Sequence, residues 1–192
     1  MTNVNWQLGA DSFIDAVASS SATPGGGAAA AVTAATGCGL CMMAVSVSIM
    51  IKSTPEENKK PLKACLDELY LLKDILKAGA QADADAYEDV VRARRLPKES
   101  KERAVMLEEA IQKAALVPAE SARKAIEALQ KAEAIESKVA PVIMSDIICG
   151  KMLLKAAIGC FAQNVKANLP YIKTEAFKNK LQENINFLSK FC

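Results

Sequence analysis

The chain of 192 residues contains no histidine. Without an imidazole, proton transfer near neutral pH falls to a carboxylate, lysine, cysteine or tyrosine in surroundings that shift its pKa. Serine and cysteine hydrolases built on histidine are excluded. Aromatic residues are scarce, at 5% with a single tryptophan. No segment alternates apolar and polar residues as a half-buried strand does, so the expected class is all-α. Six cysteines are present, and Cys38 and Cys41 form a CxxC. With no histidine and no second pair beside it, a zinc site lacks ligands, and the two thiols read as small core residues. No metal or cofactor is called for.

Charge is balanced overall, with 24 basic and 22 acidic residues giving +2, spread through amphipathic segments rather than gathered into a basic stripe. Nucleic acid is therefore not an expected partner. Asp11 and Asp15 stand where a signal peptide would need apolar residues, which gives the expectation of a cytoplasmic protein. The length suits one domain over residues 1–192.

Charge is missing altogether between Asp15 and Lys52. Within that gap Gly25, Gly26 and Gly27 open a run of Ala, Val, Ser, Thr, Cys and Met that ends at Ile51. The run is long enough to cross a bilayer. Its many alanines add little transfer free energy, however, and neither Trp nor Tyr anchors its ends, so a membrane span is not expected. Small residues four apart, such as Ala30, Ala34 and Cys38 or Thr33, Gly37 and Cys41, allow other helices to approach closely. The prediction is a central helix buried nearly all round, near the interface of a homodimer. The glycines before it either form a tight turn beneath another helix or, with the unpaired N–H groups of the helix start, receive a ligand.

Ser12, Thr54 and Thr174 each stand where a cap should open an amphipathic helix, and Pro61 is a point where the second of these could be re-set. The count is about five to six helices in one bundle. Between Leu62 and Val90 the apolar residues step by three or four, and the series Leu62, Leu69, Leu76 continues by sevens to Asp83 and Val90. Asp83 thus falls on the buried face between Ala80 and Tyr87, while Asp85 points away. A carboxylate on a core face suffers desolvation unless a partner or substrate answers it. Asp83 is the candidate catalytic residue; the alternative is that it pairs with a buried lysine or caps another helix.

A second apolar segment, from Val142 to Leu169, carries Asp146, Gly150, Leu153, Ala157, Cys160 and Asn164 along one line, with Asn168 one turn beyond Asn164. Asparagine is a poor helix former, so these side chains ask for partners, either neighbouring backbone or a ligand. Gly25, Gly26, Gly27, Asp146, Asn164 and Asn168 are accordingly the candidate substrate-binding residues around Asp83.

Three blocks together resemble the cyclodeaminase/cyclohydrolase family of folate enzymes, related to the C-terminal domain of formimidoyltransferase-cyclodeaminase and to stand-alone methenyltetrahydrofolate cyclohydrolases. They are Thr23-Pro24-Gly25-Gly26-Gly27, Asp83-Ala84-Asp85-Ala86-Tyr87 leading to Arg95-Leu96-Pro97-Lys98, and Ser145-Asp146 through Asn164-Val165-Lys166-Ala167-Asn168-Leu169. The resemblance implies a dimeric helical domain with a tetrahydrofolate derivative as substrate and no further cofactor. It also implies closure of a formimino group with loss of ammonia, or hydrolysis of a methenyl bridge. The family's catalytic aspartate corresponds to Asp83. The chain departs from the family pattern at Ala28, Gln81 and Ile148, where Ser, an acid and Gly are common. The competing function is a non-catalytic helical dimer that binds a pterin-like ligand or a protein partner.

Overall fold

The computed structural model describes residues 7–191, so residues 1–6 and 192 of the expected domain lie outside the described residues. Six α-helices make up the described chain: α1 (Ser12–Ala18), α2 (Gly26–Met50), α3 (Glu56–Arg95), α4 (Lys101–Ile135), α5 (Met144–Asn168) and α6 (Glu175–Leu188). No strand occurs among the described residues. Helices α2 to α5 form the bundle, each packed on the next, with α5 closing back onto α2. Their short connections make successive helices antiparallel. The start of α2 consequently lies beside the second half of α3 and the end of α5, where Gly27 meets Asp83 and Gly26 meets Asn164.

The stripe of leucines explains how α3 seats. Leu62, Leu69 and Leu76 are fully buried, as are Leu129 of α4 and Ile147, Leu154 and Phe161 of α5. Each such side chain contributes about 1.5–3 kcal/mol by leaving water. A second cluster, including Val90, Ile111, Val165, Leu181 and Ile185, joins the end of α3, the first half of α4 and the end of α5 to α6.

Helix α2 packs through small residues. Ala31, Ala34, Cys38, Cys41, Ala44 and Val45 are buried, and Gly37 crosses Gly150 of α5 so closely that a Cβ on Gly37 would lie 2.7 Å from the Gly150 carbonyl oxygen. The expectation of burial nearly all round needs correction for a single chain. Neighbours cover only part of the circumference, and Thr36, Met43 and Met50 remain exposed along an uncharged stripe. By length and hydropathy α2 could cross a membrane, yet its small-residue faces are spent on α3 and α5.

Three caps differ from the sequence reading. Ser12 Oγ turns back to donate to the Leu8 and Gly9 carbonyls at 3.2 and 3.3 Å, because a π-helical turn, Gln7–Asp11, runs directly into α1. Thr54 Oγ1 donates to Ser48 O at 2.7 Å, which ties the α2–α3 turn to the end of α2 and leaves Pro55 at the N-cap. Helix α3 then runs through Pro61 without a re-set: only the first turns are affected, and Leu62 is already held in the core. Thr174 is at the N-cap of α6, but its hydroxyl donates to Glu108 of α4 at 2.9 Å. Ser100, by contrast, caps α4 by accepting the Arg103 N–H at 3.2 Å.

Candidate active site

Helix α2 begins with glycines, so it has no side chain of its own to satisfy its first N–H groups, and none caps it from Gly25. Asp83 fills that role from α3. Its carboxylate accepts a hydrogen bond from the backbone N–H of Ala28, the third residue of α2 and a usual target of an N-cap side chain. The same carboxylate lies against Gly27, where an added Cβ would be 2.6 Å from Oδ2 and closer still to Oδ1 and Cγ. Gly27 is therefore bare because Asp83 occupies its side-chain space. Ala28 supplies its N–H regardless of side chain, so the departure from Ser at this position does not disturb the bond.

Asp83 is half-buried. Burial pushes its pKa above the ordinary carboxylate value, and the Ala28 hydrogen bond pulls it only part of the way back. Among the described carboxylates with a resolved shift, Asp83 alone moves upward; Glu56, Asp89 and Glu108 are lowered. Asp85, two residues on, is exposed and accepts from Gln81 Nε2 at 2.8 Å, which places Gln81 outside the site.

A cleft of about 220 Å³ opens over Asp83, with Gly25, Gly26, Gly27, Asn164 and Asn168 in its walls. Asn164 Nδ2 donates to Cys160 O at 2.9 Å, and Asn168 Nδ2 donates to Ala114 O at 3.2 Å and to Asn164 O at 3.0 Å. These bonds answer the asparagine donors with backbone and fix both amides at the end of α5. Their side-chain carbonyl oxygens are left to accept from a ligand.

The structure does not bring Asp146 here. It lies at the start of α5, eighteen residues from Asn164, or about 27 Å of helix at 1.5 Å per residue. Its carboxylate accepts instead from Ser145 Oγ at 3.3 Å. A common line along a helix does not make a common site when the residue numbers already set the two positions a helix length apart.

Sequence reasoning missed Arg94 and Tyr171, which also line the cleft. Arg94 was legible, since 83, 87, 90 and 94 step along one face of α3. Tyr171 follows Pro170 in a short 3-10 turn and carries no periodic signal. The CxxC thiols are fully buried core residues: burial pushes Cys38 and Cys41 up to about 12 and Cys65 up to about 11. Two larger grooves, of about 540 Å³ between α4 and α6 and about 530 Å³ between α3 and α4, are open and lined by charged surface residues such as Arg123 and Glu127. Neither contains a half-buried acid.

An all-α bundle that holds a half-buried carboxylate over a bare helix start, in a small cleft with fixed amides, defines a helical enzyme-like domain for a ligand with several hydrogen-bonding groups. The profile of the formiminotransferase-cyclodeaminase family matches residues 9–187, and the chain belongs to that family. It is 32% identical over 178 residues to a methenyltetrahydrofolate cyclohydrolase of Methylorubrum extorquens, covering 90% of this chain and 85% of the relative. It is 31% identical to a formimidoyltransferase-cyclodeaminase of Sus scrofa, covering 92% of this chain but only 33% of that much longer protein. The crystal structure of formiminotetrahydrofolate cyclodeaminase from Thermotoga maritima has the same fold, with a TM-score of 0.85 at 24% identity over 94% of this chain and 88% of that one.

Proposed function

We propose that the chain is an enzyme of folate one-carbon metabolism that acts on the one-carbon unit of a tetrahydrofolate, with Asp83 as general acid and base. The observation that carries this reading is the half-buried Asp83 carboxylate, with its raised pKa, beside Gly27 and facing the cleft. Closure of 5-formimino-tetrahydrofolate, with its formimino group protonated, joins N10 to the formimino carbon, takes the N10 proton and delivers a proton to the nitrogen that leaves as ammonia when its bond to that carbon breaks. Hydrolysis of the cationic methenyl bridge adds water to the same carbon with release of one water proton, and the remaining hydroxyl proton is passed to N5 as the C–N5 bond breaks and the formyl carbonyl forms. A carboxylate whose pKa is brought toward neutrality can both take and give these protons. Its anion also favours the cationic methenyl-bridged ring.

The cleft is smaller than the 300–1,000 Å³ of typical small-molecule sites, so one chain encloses only part of a folate. We propose a homodimer formed through the uncharged stripe of α2 and the neighbouring exposed face of α5, where Ile148 and Met152 stand. A cytoplasmic location fits the exposed free thiols of Cys149 and Cys160; cell fractionation that recovered the chain from an oxidising compartment would contradict it.

The test is turnover of 5-formimino- and 5,10-methenyl-tetrahydrofolate by the purified chain, followed by the near-ultraviolet absorbance of the methenyl form. Appearance of that absorbance from the first substrate identifies the cyclodeaminase branch, and its loss from the second identifies the cyclohydrolase branch. Binding of either compound without turnover would support the non-catalytic alternative.

A further inference from the structure

Among the described residues, two charged side chains line the cleft, Asp83 and Arg94. They stand on one face of α3, with Tyr87 and Val90 between them, and all four line the cleft. The separation of eleven residues is about 16 Å along the axis. Helical side chains lean toward the helix N-terminus, and arginine is much the longer of the two, so the Arg94 side chain can extend along the cleft toward the Asp83 end. Arg94 has no ion-pair or hydrogen-bond partner among the described residues, whereas Arg92, two positions earlier, is paired with Asp89 at 3.4 Å. An unpaired guanidinium at one end of a cleft, with an acid at the other and tyrosines on its walls, is a receptor for an elongated ligand with an aromatic middle and an anionic tail.

We infer that Arg94 binds the glutamyl carboxylate of the substrate and that α3 sets the register of the folate, a reading that rests on the proposed function. With Asp83 at the one-carbon unit, the p-aminobenzoyl ring falls beside Tyr87 and Tyr171. The glutamyl carboxylates then lie about 9–12 Å from N10 by standard bond lengths, within reach of Arg94. Arg94 itself is exposed, so a tail extended beyond the first glutamate leaves the cleft into solvent. Arg94 is in this account a specificity residue and takes no part in proton transfer. Its contribution is uniform binding, which acts on KM and leaves kcat unchanged.

The experiment is calorimetric binding of 5-formyl-tetrahydrofolate and of 5-formyl-tetrahydropteroate, which lacks the glutamate, to the wild-type chain and to Arg94→Gln, Arg94→Lys and Arg92→Gln. The wild type and Arg92→Gln should prefer the glutamylated ligand by roughly 10- to 100-fold, the range of a charged hydrogen-bonded pair. Arg94→Gln should bind the two equally, and Arg94→Lys should retain part of the preference. An undiminished preference in Arg94→Gln, or none in the wild type, overturns the inference while leaving the proposed function intact. Failure of the wild type to bind either ligand overturns the proposed function, and the inference with it.

Discussion

The Asp83 carboxylate stands in the space that a side chain on Gly27 would occupy, and it accepts the N–H of the next residue, Ala28. One contact therefore joins a structural duty, capping α2, to the chemistry of the cleft. A helix cap and the proposed catalytic acid, the alternatives raised for Asp83 by its place on the stripe, are thus compatible in one side chain.

Gly27→Ala should test the tightness of that contact. The new methyl group must push Asp83 or the start of α2 aside by about 1 Å, and a displacement of that size costs on the order of 10²-fold in turnover. Overpacking should also cost about 1–3 kcal/mol of stability. Gly26→Ala, whose Cβ would meet Asn164 Nδ2 at an ordinary 3.4 Å, should be milder in both respects. Equal kcat/KM values for the two variants would contradict the assignment.

Asp83→Asn keeps an oxygen to accept from Ala28 and removes the charge. Because the folded pKa of Asp83 lies above its unfolded value, the native state holds the extra proton in that window. The stabilising contribution of the residue is full below the unfolded value and is lost as pH rises through the folded one. At pH 7 the ionised form is the less favoured one in the fold, so Asp83→Asn should have a Tm equal to or above that of the wild type. A wild-type advantage at pH 7 that shrinks on acidification would show the opposite sign.

The Gly37–Gly150 crossing gives a stability prediction far from the cleft. A Cβ at Gly150 would lie 2.6 Å from Cys41 Sγ and 2.7 Å from the Gly37 carbonyl oxygen. Both neighbours are held within the core, so Gly150→Ala should destabilise by about 1–3 kcal/mol. For a chain of this size that is a fall in Tm of several degrees. An unchanged melting temperature would mean that α2 and α5 are not packed this closely.

The proposed homodimer is to be tested at the uncharged stripe of α2. Sedimentation at micromolar concentration should show a dimer of the 20.4 kDa chain, and Met43→Glu or Met152→Glu should shift it to monomer by burying a charge in the interface. Both methionines are exposed on the single chain, so neither change disturbs its core. A folded wild-type monomer would contradict the proposal.

Much of this was legible before the structure because helical periodicity carries angular information. The sevenfold step from Leu62 placed Asp83 on the correct face, and the small-residue spacing identified α2 as the helix that others approach. A shared helix face is not a shared site: Asp146 and Asn164 lie on one side of α5, but their eighteen-residue separation, legible in the sequence at 1.5 Å per residue, is about 27 Å, too far for one small cleft. Caps fared worse for a related reason. A hydroxyl at Ser12, Thr54 or Thr174 matches the local pattern, but its bond is decided by what tertiary structure brings near: the Leu8 carbonyl, the end of α2 or Glu108. The partner of Gly27 had no local signal, since a bare position shows only that something comes close.

The central claim is that Asp83 moves the proton at the one-carbon unit. The most direct measurement is the turnover of Asp83→Asn relative to the wild type on whichever of formimino- and methenyl-tetrahydrofolate the wild type consumes, with folding verified by circular dichroism. The account predicts a loss of about 10²-fold or more in kcat with the fold retained; full activity in the folded Asn variant would contradict it.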